Sequence, residues 1–164
     1  MKTLYHGGQK SGKSRLAEQN ALSIAGDASP YYIATYDNSY GDTEMQTRIG
    51  KHQAQREMRF ITIEETVHLN THIQEGNTYL IDCMSMWILN TLELDEETLL
   101  AEVESLCAKD AHIIFVLNDV GSGVIPLDAS SRKYVDRSGI IGQKLAQLCD
   151  EVYEVKLGLE NRLK

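Results

Sequence analysis

The chain has 164 residues, 42% of them hydrophobic and 24% charged, with a formal net charge of -8 and a sequence pI near 5.1. That length fits one domain over residues 1–164 with a core of its own, and the composition is that of an ordinary globular protein. No basic stripe runs along it, which argues against a nucleic-acid partner, so any phosphate chemistry has to use local positive groups on an acidic background. No apolar run reaches a membrane-spanning length and no secretory leader pattern opens the chain. Cys83, Cys107 and Cys149 are scattered and odd in number, which suits free thiols in a cytoplasmic protein.

In chain order, β-rich runs occur at TLYH (3–6), YYIAT (31–35), FITI (60–63), TYLID (78–82), HIIFVLN (112–118) and VYEVKL (152–157). Helix-period stretches separate most of them: KSRLAEQNALSIA, DTEMQTRIGKHQAQRE, TVHLNTHIQ, DEETLLAEVESLCAK and a long one from about Ser131 to Cys149. Runs such as IIFVL and YLI are apolar at every position, as strands covered on both faces must be. Alternating β and α units of this kind predict an α/β fold with a mostly parallel sheet wrapped by helices, and ligands at the carboxyl ends of the strands.

The first strand runs straight into GGQKSGKS, which fits G-x-x-x-x-G-K-[ST] from Gly7 to Ser14. In such a loop (Gly7, Gly8, Gln9, Lys10, Ser11, Gly12, Lys13, Ser14) glycines let the backbone curl so that successive N–H groups face phosphate oxygens. Lys13 supplies a point charge for the β- and γ-phosphates and Ser14 a hydroxyl for Mg²⁺. The helix that follows adds its positive N-terminal end. A P-loop also wants a carboxylate at the end of a neighbouring strand, and TYLID offers Asp82 as the second metal-side group.

From Asp42 a helical pattern sets Glu44, Arg48, His52 and Arg56 at successive i, i+4 positions. One reading is a solvated face with an ion pair. The other is an imidazole nucleophile between two guanidiniums that bracket phosphate oxygens. Spacing does not choose between them. His68 and His72 repeat the i, i+4 spacing without an obvious third metal ligand, which favours a surface helix. Trp87 is expected to pack rather than to stack on a ligand, and NDVGSGVIP (118–126) reads either as a substrate loop or as a plain turn. Arg132 and Arg137 are placed by default on a solvated face.

Taken together, GGQKSGKSR, YIAT, D-x-E-M-x-x-R-I-x-x-H-x-x-x-R (Asp42 to Arg56), Thr62-Ile63-Glu64, NDVGSGVIP and GQKLA (Gly142 to Ala146) resemble the bifunctional adenosylcobinamide kinase/adenosylcobinamide-phosphate guanylyltransferase family, over nearly the whole chain. The resemblance implies a P-loop NTPase (RecA-like) three-layer domain of cobalamin biosynthesis. Such an enzyme phosphorylates the corrinoid adenosylcobinamide and then transfers GMP from GTP to that phosphate, using GTP and ATP as substrates with Mg²⁺. The family's histidine that carries the guanylyl group corresponds to His52. Thr35, Gln53 and Glu64 match neighbouring positions expected to hold nucleotide or metal, and the family pattern implies a homo-oligomer, with a trimer as the expected form. Departures include Asp119 where Glu is usual, Gly142 for Asn, His6 before the glycines, and Arg56-Glu57 with Phe60 in place of Arg-Pro and Trp. They bear on substrate identity and on the balance of the two activities, and leave open a P-loop small-molecule kinase without covalent transfer, or a nucleotide-binding protein without turnover.

Overall fold

The computed structural model describes residues 1–36 and 59–164. Within them, seven strands form one sheet in the order β3-β2-β4-β5-β1-β6-β7: β1 (Lys2–Gly7), β2 (Tyr31–Ala34), β3 (Ile61–Glu64), β4 (Thr78–Asp82), β5 (His112–Asn118), β6 (Glu151–Lys156) and β7 (Leu159–Arg162). Neighbours from β3 to β6 pair in parallel, and β7 alone returns antiparallel along β6. Among the described residues four helices accompany them: α1 (Lys13–Ala25), α2 (Met84–Asn90), α3 (Glu96–Ala108) and α4 (Ala129–Leu148). The α/β architecture with a mostly parallel sheet agrees with the sequence reading.

Strand β5 shows why its run is apolar throughout. Ile113, Phe115 and Leu117 point into a core shared with Trp87, Leu99, Val103, Ile141 and Leu145 of α2, α3 and α4. Ile114 and Val116 point the other way, into a core shared with Ala17 and Ala21 of α1. Period-2 alternation therefore feeds two apolar layers, not an apolar and a wet face. Small residues on α1 let that helix lie close on the sheet, while bulkier side chains fill the opposite layer.

The consequence for ligand binding is topological. β1 and β5 are parallel neighbours in register from Lys2↔Ile113 to Gly7↔Asn118. The chain leaves β1 for α1 on one face of the sheet, and it leaves β5 for α4 on the other. Adjacent strands whose helices diverge in this way open a crevice at their carboxyl ends. Gly7, Asn118 and the loops beyond them lie there.

Two stretches depart from the expected elements. TVHLNTHIQ contains only a short 3-10 turn, Leu69–His72, because Glu65 gathers the local donors. Its Oε1 accepts from the N–H groups of Val67 (2.8 Å) and His68 (2.9 Å), and its Oε2 lies 3.1 Å from His72 Nε2. The two histidines thus do not form a helix face, and His72 is paired with a carboxylate. The terminal strand β7, exposed along its length, was not anticipated; its apolar positions are too sparse to signal a strand.

Glu65 carries a pH dependence. Burial pushes its carboxyl up, but the two N–H donors and the His72 ring outweigh that and bring it from an ordinary 4.5 to about 2. A depressed acid contributes stability above its unfolded value and loses it as pH falls toward the folded one. Glu65→Gln should therefore lower the urea midpoint most above about pH 5, with the gap to wild type closing as pH falls toward about 2. A gap independent of pH would contradict the carboxylate's role.

Candidate functional site

The phosphate loop follows β1 into the crevice. Its path needs two small residues for different reasons. A Cβ at Gly7 would meet the carbonyl oxygen of Val155 at 2.3 Å, so β6 can lie beside the loop entrance only if Gly7 has no side chain. Gly12 has φ 101, a left-handed value that frees the chain to turn into α1. Lys10 also has positive φ, at 57. The loop closes on itself through Ser11 N–H to Gly8 O (3.2 Å) and enters α1 through Leu16 N–H to Gly12 O (3.1 Å).

Lys13 is buried, at 6% exposure, with its Nζ donating to Gly8 O at 3.0 Å. Burial lowers its pKa, opposed by the Asp82 carboxylate. An arriving phosphate favours the ammonium form for the same reason Asp82 does. The amine thus folds back on the loop it serves.

Asp82 ends β4, with β5 between it and the loop strand. Its Oδ1 lies 3.5 Å from Ser14 Oγ, and its Oδ2 accepts from Tyr32 Oη at 2.9 Å. Ser14 and Asp82 thus present two hard oxygen ligands side by side. Among the described residues no group of three or more His, Cys, Asp or Glu side chains gathers to hold a metal. A hydroxyl plus one carboxylate is the donor set of a cation completed by phosphate oxygens and water.

Behind Asp82 the chain is locked. The Asp82–Cys83 peptide is cis. Thr35 is fully buried; its Oγ1 accepts from Cys83 N–H (2.9 Å) and donates to Cys83 O (2.7 Å). Asn90 Nδ2 donates to Thr35 O at 2.7 Å and to Thr66 O at 3.1 Å. Burial first, then Asp82, pushes the Cys83 thiol up to about 11, which leaves it protonated and inert at neutral pH. All three cysteines are free.

The remaining expected residues fall as follows. Gly7, Gly8, Gln9, Lys10, Ser11, Gly12, Lys13 and Ser14 share the loop; Asp82 adjoins it through Ser14, and Thr35 contacts Cys83, the residue after Asp82, not the loop. Glu64 is exposed at the end of β3, level with Ala34 and Asp82 and two strand spacings, about 10 Å, from the latter. His52 and Gln53, with Glu44, Arg48 and Arg56 and the rest of the expected helix, lie outside the described residues. Trp87 packs as expected, 1% exposed, with Nε1 donating to Val67 O at 2.9 Å. In NDVGSGVIP, Asp119 accepts from the N–H groups of Gly121 and Ser122 (both 3.2 Å) and from Ser122 Oγ (2.6 Å). The Ser122 hydroxyl leads in holding its carboxyl below the ordinary range. Tyr32 was missed as a partner of Asp82, although a polar tip on an otherwise buried strand is the signal that marks it.

Residues 3–163 match the family described as cobinamide kinase / cobinamide phosphate guanyltransferase. The chain belongs to that family. It is 38% identical to the bifunctional adenosylcobalamin biosynthesis protein CobP of Pseudomonas aeruginosa, over 100% of this chain and 98% of that protein. It is 32% identical to the CobU protein of Escherichia coli described by the same words, over the full length of both. Among solved structures, the KaiC-like protein PH0186 of Pyrococcus horikoshii superposes with a TM-score of 0.47 at 12% identity, covering 93% of this chain and 69% of that one.

The Thr35 lock gives a clean test. Thr35→Val keeps the shape and removes the hydroxyl, leaving the Cys83 peptide without its partner. It should cost about 2 kcal/mol in urea unfolding, and Thr35→Ser should recover most of it. An unchanged Thr35→Val protein would show that the hydroxyl is dispensable.

Proposed function

We propose that this chain phosphorylates the hydroxyl of the corrinoid adenosylcobinamide and then transfers GMP from GTP to the resulting phosphate, releasing pyrophosphate. Family membership over residues 3–163 supports the reaction class. The observation that carries the site is the Lys13–Ser14 loop facing Asp82, with Ser14 Oγ and Asp82 Oδ1 3.5 Å apart at the carboxyl end of the sheet. Loop N–H groups and Lys13 grip the triphosphate, ATP or GTP, in both reactions. Ser14 and Asp82 would hold Mg²⁺, which when bound would supply positive charge to phosphate oxygens and to a pyrophosphate leaving group.

In the second reaction His52 is proposed as nucleophile. Its ring nitrogen bonds the α-phosphorus of GTP while the α–β bridging bond breaks and pyrophosphate leaves with the electron pair. A phosphate oxygen of the corrinoid ester then bonds the same phosphorus and the nitrogen departs. The segment that carries His52, numbered 37–58, starts just past β2, whose Ala34 is in register with Asp82. The family pattern, in which the histidine of R-I-x-x-H corresponds to His52, is what supports this role. Gln53 and Glu64 are assigned to nucleotide or metal contacts beside it, and Thr35 to the same neighbourhood through Cys83. The whole chain, 1–164, acts as one unit in the cytoplasm, in keeping with three free thiols.

With GTP labelled in the α-position, denatured wild-type protein should retain acid-labile label, and His52→Ala should retain none while still binding GTP. Lys13→Ala should lower kcat/KM of both reactions by roughly two orders of magnitude, since one grip serves both. Phosphorylation without retained label would instead indicate a small-molecule kinase.

The family pattern also leads us to propose a homo-oligomer, a trimer in its expected form. Val124, Ile125 and Leu127, 94%, 77% and 97% exposed, support a contact surface in the loop after β5. Light scattering should give a mass above that of one 18.4 kDa chain; a monomer at all concentrations would remove this part.

A further inference from the structure

The turn between β6 and β7, Leu157-Gly158, lies against the phosphate loop although it is distant in sequence. Gly158 N–H donates to Ser11 O at 2.7 Å. A Cβ on Gly12 would meet Gly158 Cα at 3.1 Å. Arg15, just past the loop, reaches Gly158 O with its Nη2 at 3.4 Å. Both turn residues have positive φ, 55 at Leu157 and 80 at Gly158, as a tight two-residue hairpin requires. Leu157 is 89% exposed, so the turn itself adds no side chain to the core.

We propose that the Leu157–Gly158 turn is a positioning element of the phosphate loop, fixing the orientation of the Ser11–Gly12 peptide. The assignment rests on a nucleoside triphosphate occupying that loop. In a trans peptide the carbonyl and the following N–H point in opposite directions. Holding Ser11 O against Gly158 therefore aims Gly12 N–H away from the hairpin, toward the side where the loop encloses phosphate. Without that bond the Ser11–Gly12 peptide can rotate cheaply, because Gly12 has no side chain to oppose it. Ordering the loop in advance removes a conformational cost from nucleotide binding. The arrangement makes the C-terminal hairpin, which carries none of the groups assigned to the chemistry, part of the phosphate grip. By reciprocity, nucleotide should steady the hairpin.

The test uses the full-length protein and a fluorescent GTP analogue. Gly158→Val places a β-branched side chain at φ 80 and displaces the turn. Its Kd for the analogue should rise about tenfold, and KM for nucleotide should rise in both reactions with a smaller change in kcat. Leu157→Asn, which suits a left-handed residue, should keep wild-type affinity. A folded Gly158→Val protein with Kd within about twofold of wild type would overturn the proposal. If Gly158→Val does not fold, amide exchange in the wild type decides: the Gly158 N–H should exchange several-fold more slowly with GTP than without, and equal rates would overturn the proposal. Wild-type protein that binds no GTP removes the nucleotide assignment and this proposal together, whereas normal wild-type binding with an unaffected variant removes only the brace.

Discussion

The site depends on two parallel neighbours, β1 and β5, sending their helices to opposite faces of the sheet. If α1 and α4 covered the same face, the carboxyl ends of β1 and β5 would be roofed, with no crevice for a phosphate tail. The divergence is maintained by packing on both sides of one strand. Ile114 and Val116 are held by the α1 layer, and Ile113, Phe115 and Leu117 by the layer of α2, α3 and α4. Polar groups could not replace these side chains without being buried unpaired. The hydrophobic pattern of HIIFVLN is thus the remote cause of the crevice beyond it.

Within the crevice, electrostatics work against the net charge of the chain. At -8, the protein as a whole does not attract nucleotide. In the proposed site, attraction comes from backbone N–H groups, a helix N-terminus and one buried lysine. Lys13 is inside because the loop wraps it, and that burial lowers its pKa. Asp82 partly compensates, so the same carboxylate that can share a cation with Ser14 also helps to keep the lysine charged. Tyr32 donates to the other Asp82 oxygen, and Thr35 fixes the next peptide from behind. Lys13, Ser14, Asp82, Tyr32 and Thr35 thus each have a neighbour that constrains them.

Much of this was legible in the sequence. The order of the six expected strands, the parallel sheet, the loop from Gly7 to Ser14 and Asp82 at a strand end follow from period and spacing, because local preference and global packing agree there. The helical reading of TVHLNTHIQ did not survive, because one carboxylate, Glu65, offers the backbone a competing set of hydrogen bonds. Such competition depends on side-chain geometry that periodicity does not encode. Tyr32, Thr35 and Asn90 were invisible as a group for a different reason. They meet only after β2, β4 and α2 are brought together, at sequence separations of about fifty residues for the first two contacts with Asp82 and Cys83. The family pattern pointed to Thr35 as a residue near nucleotide; the structure adds the local contact it makes, with the backbone at Cys83.

The contact between the β6–β7 turn and the phosphate loop was equally beyond sequence reading, and it shows how an exposed turn can matter without adding a side chain to the core. Every β7 residue is exposed, so β7 adds no side chain to the core. Its register along β6 is set by the two positive-φ residues of the turn, and that turn delivers one N–H to Ser11 O. β6 itself runs beside β1 from Thr3↔Glu151 to His6↔Glu154, one residue short of Gly7, where a side chain would strike the Val155 carbonyl. The strand therefore excludes a Cβ from the loop's entrance and its turn fixes a peptide farther along. Both act through backbone atoms, which is why Gly7 and Gly12 have to be glycines on the loop side and why no side-chain motif in β6 or its turn announces the contact.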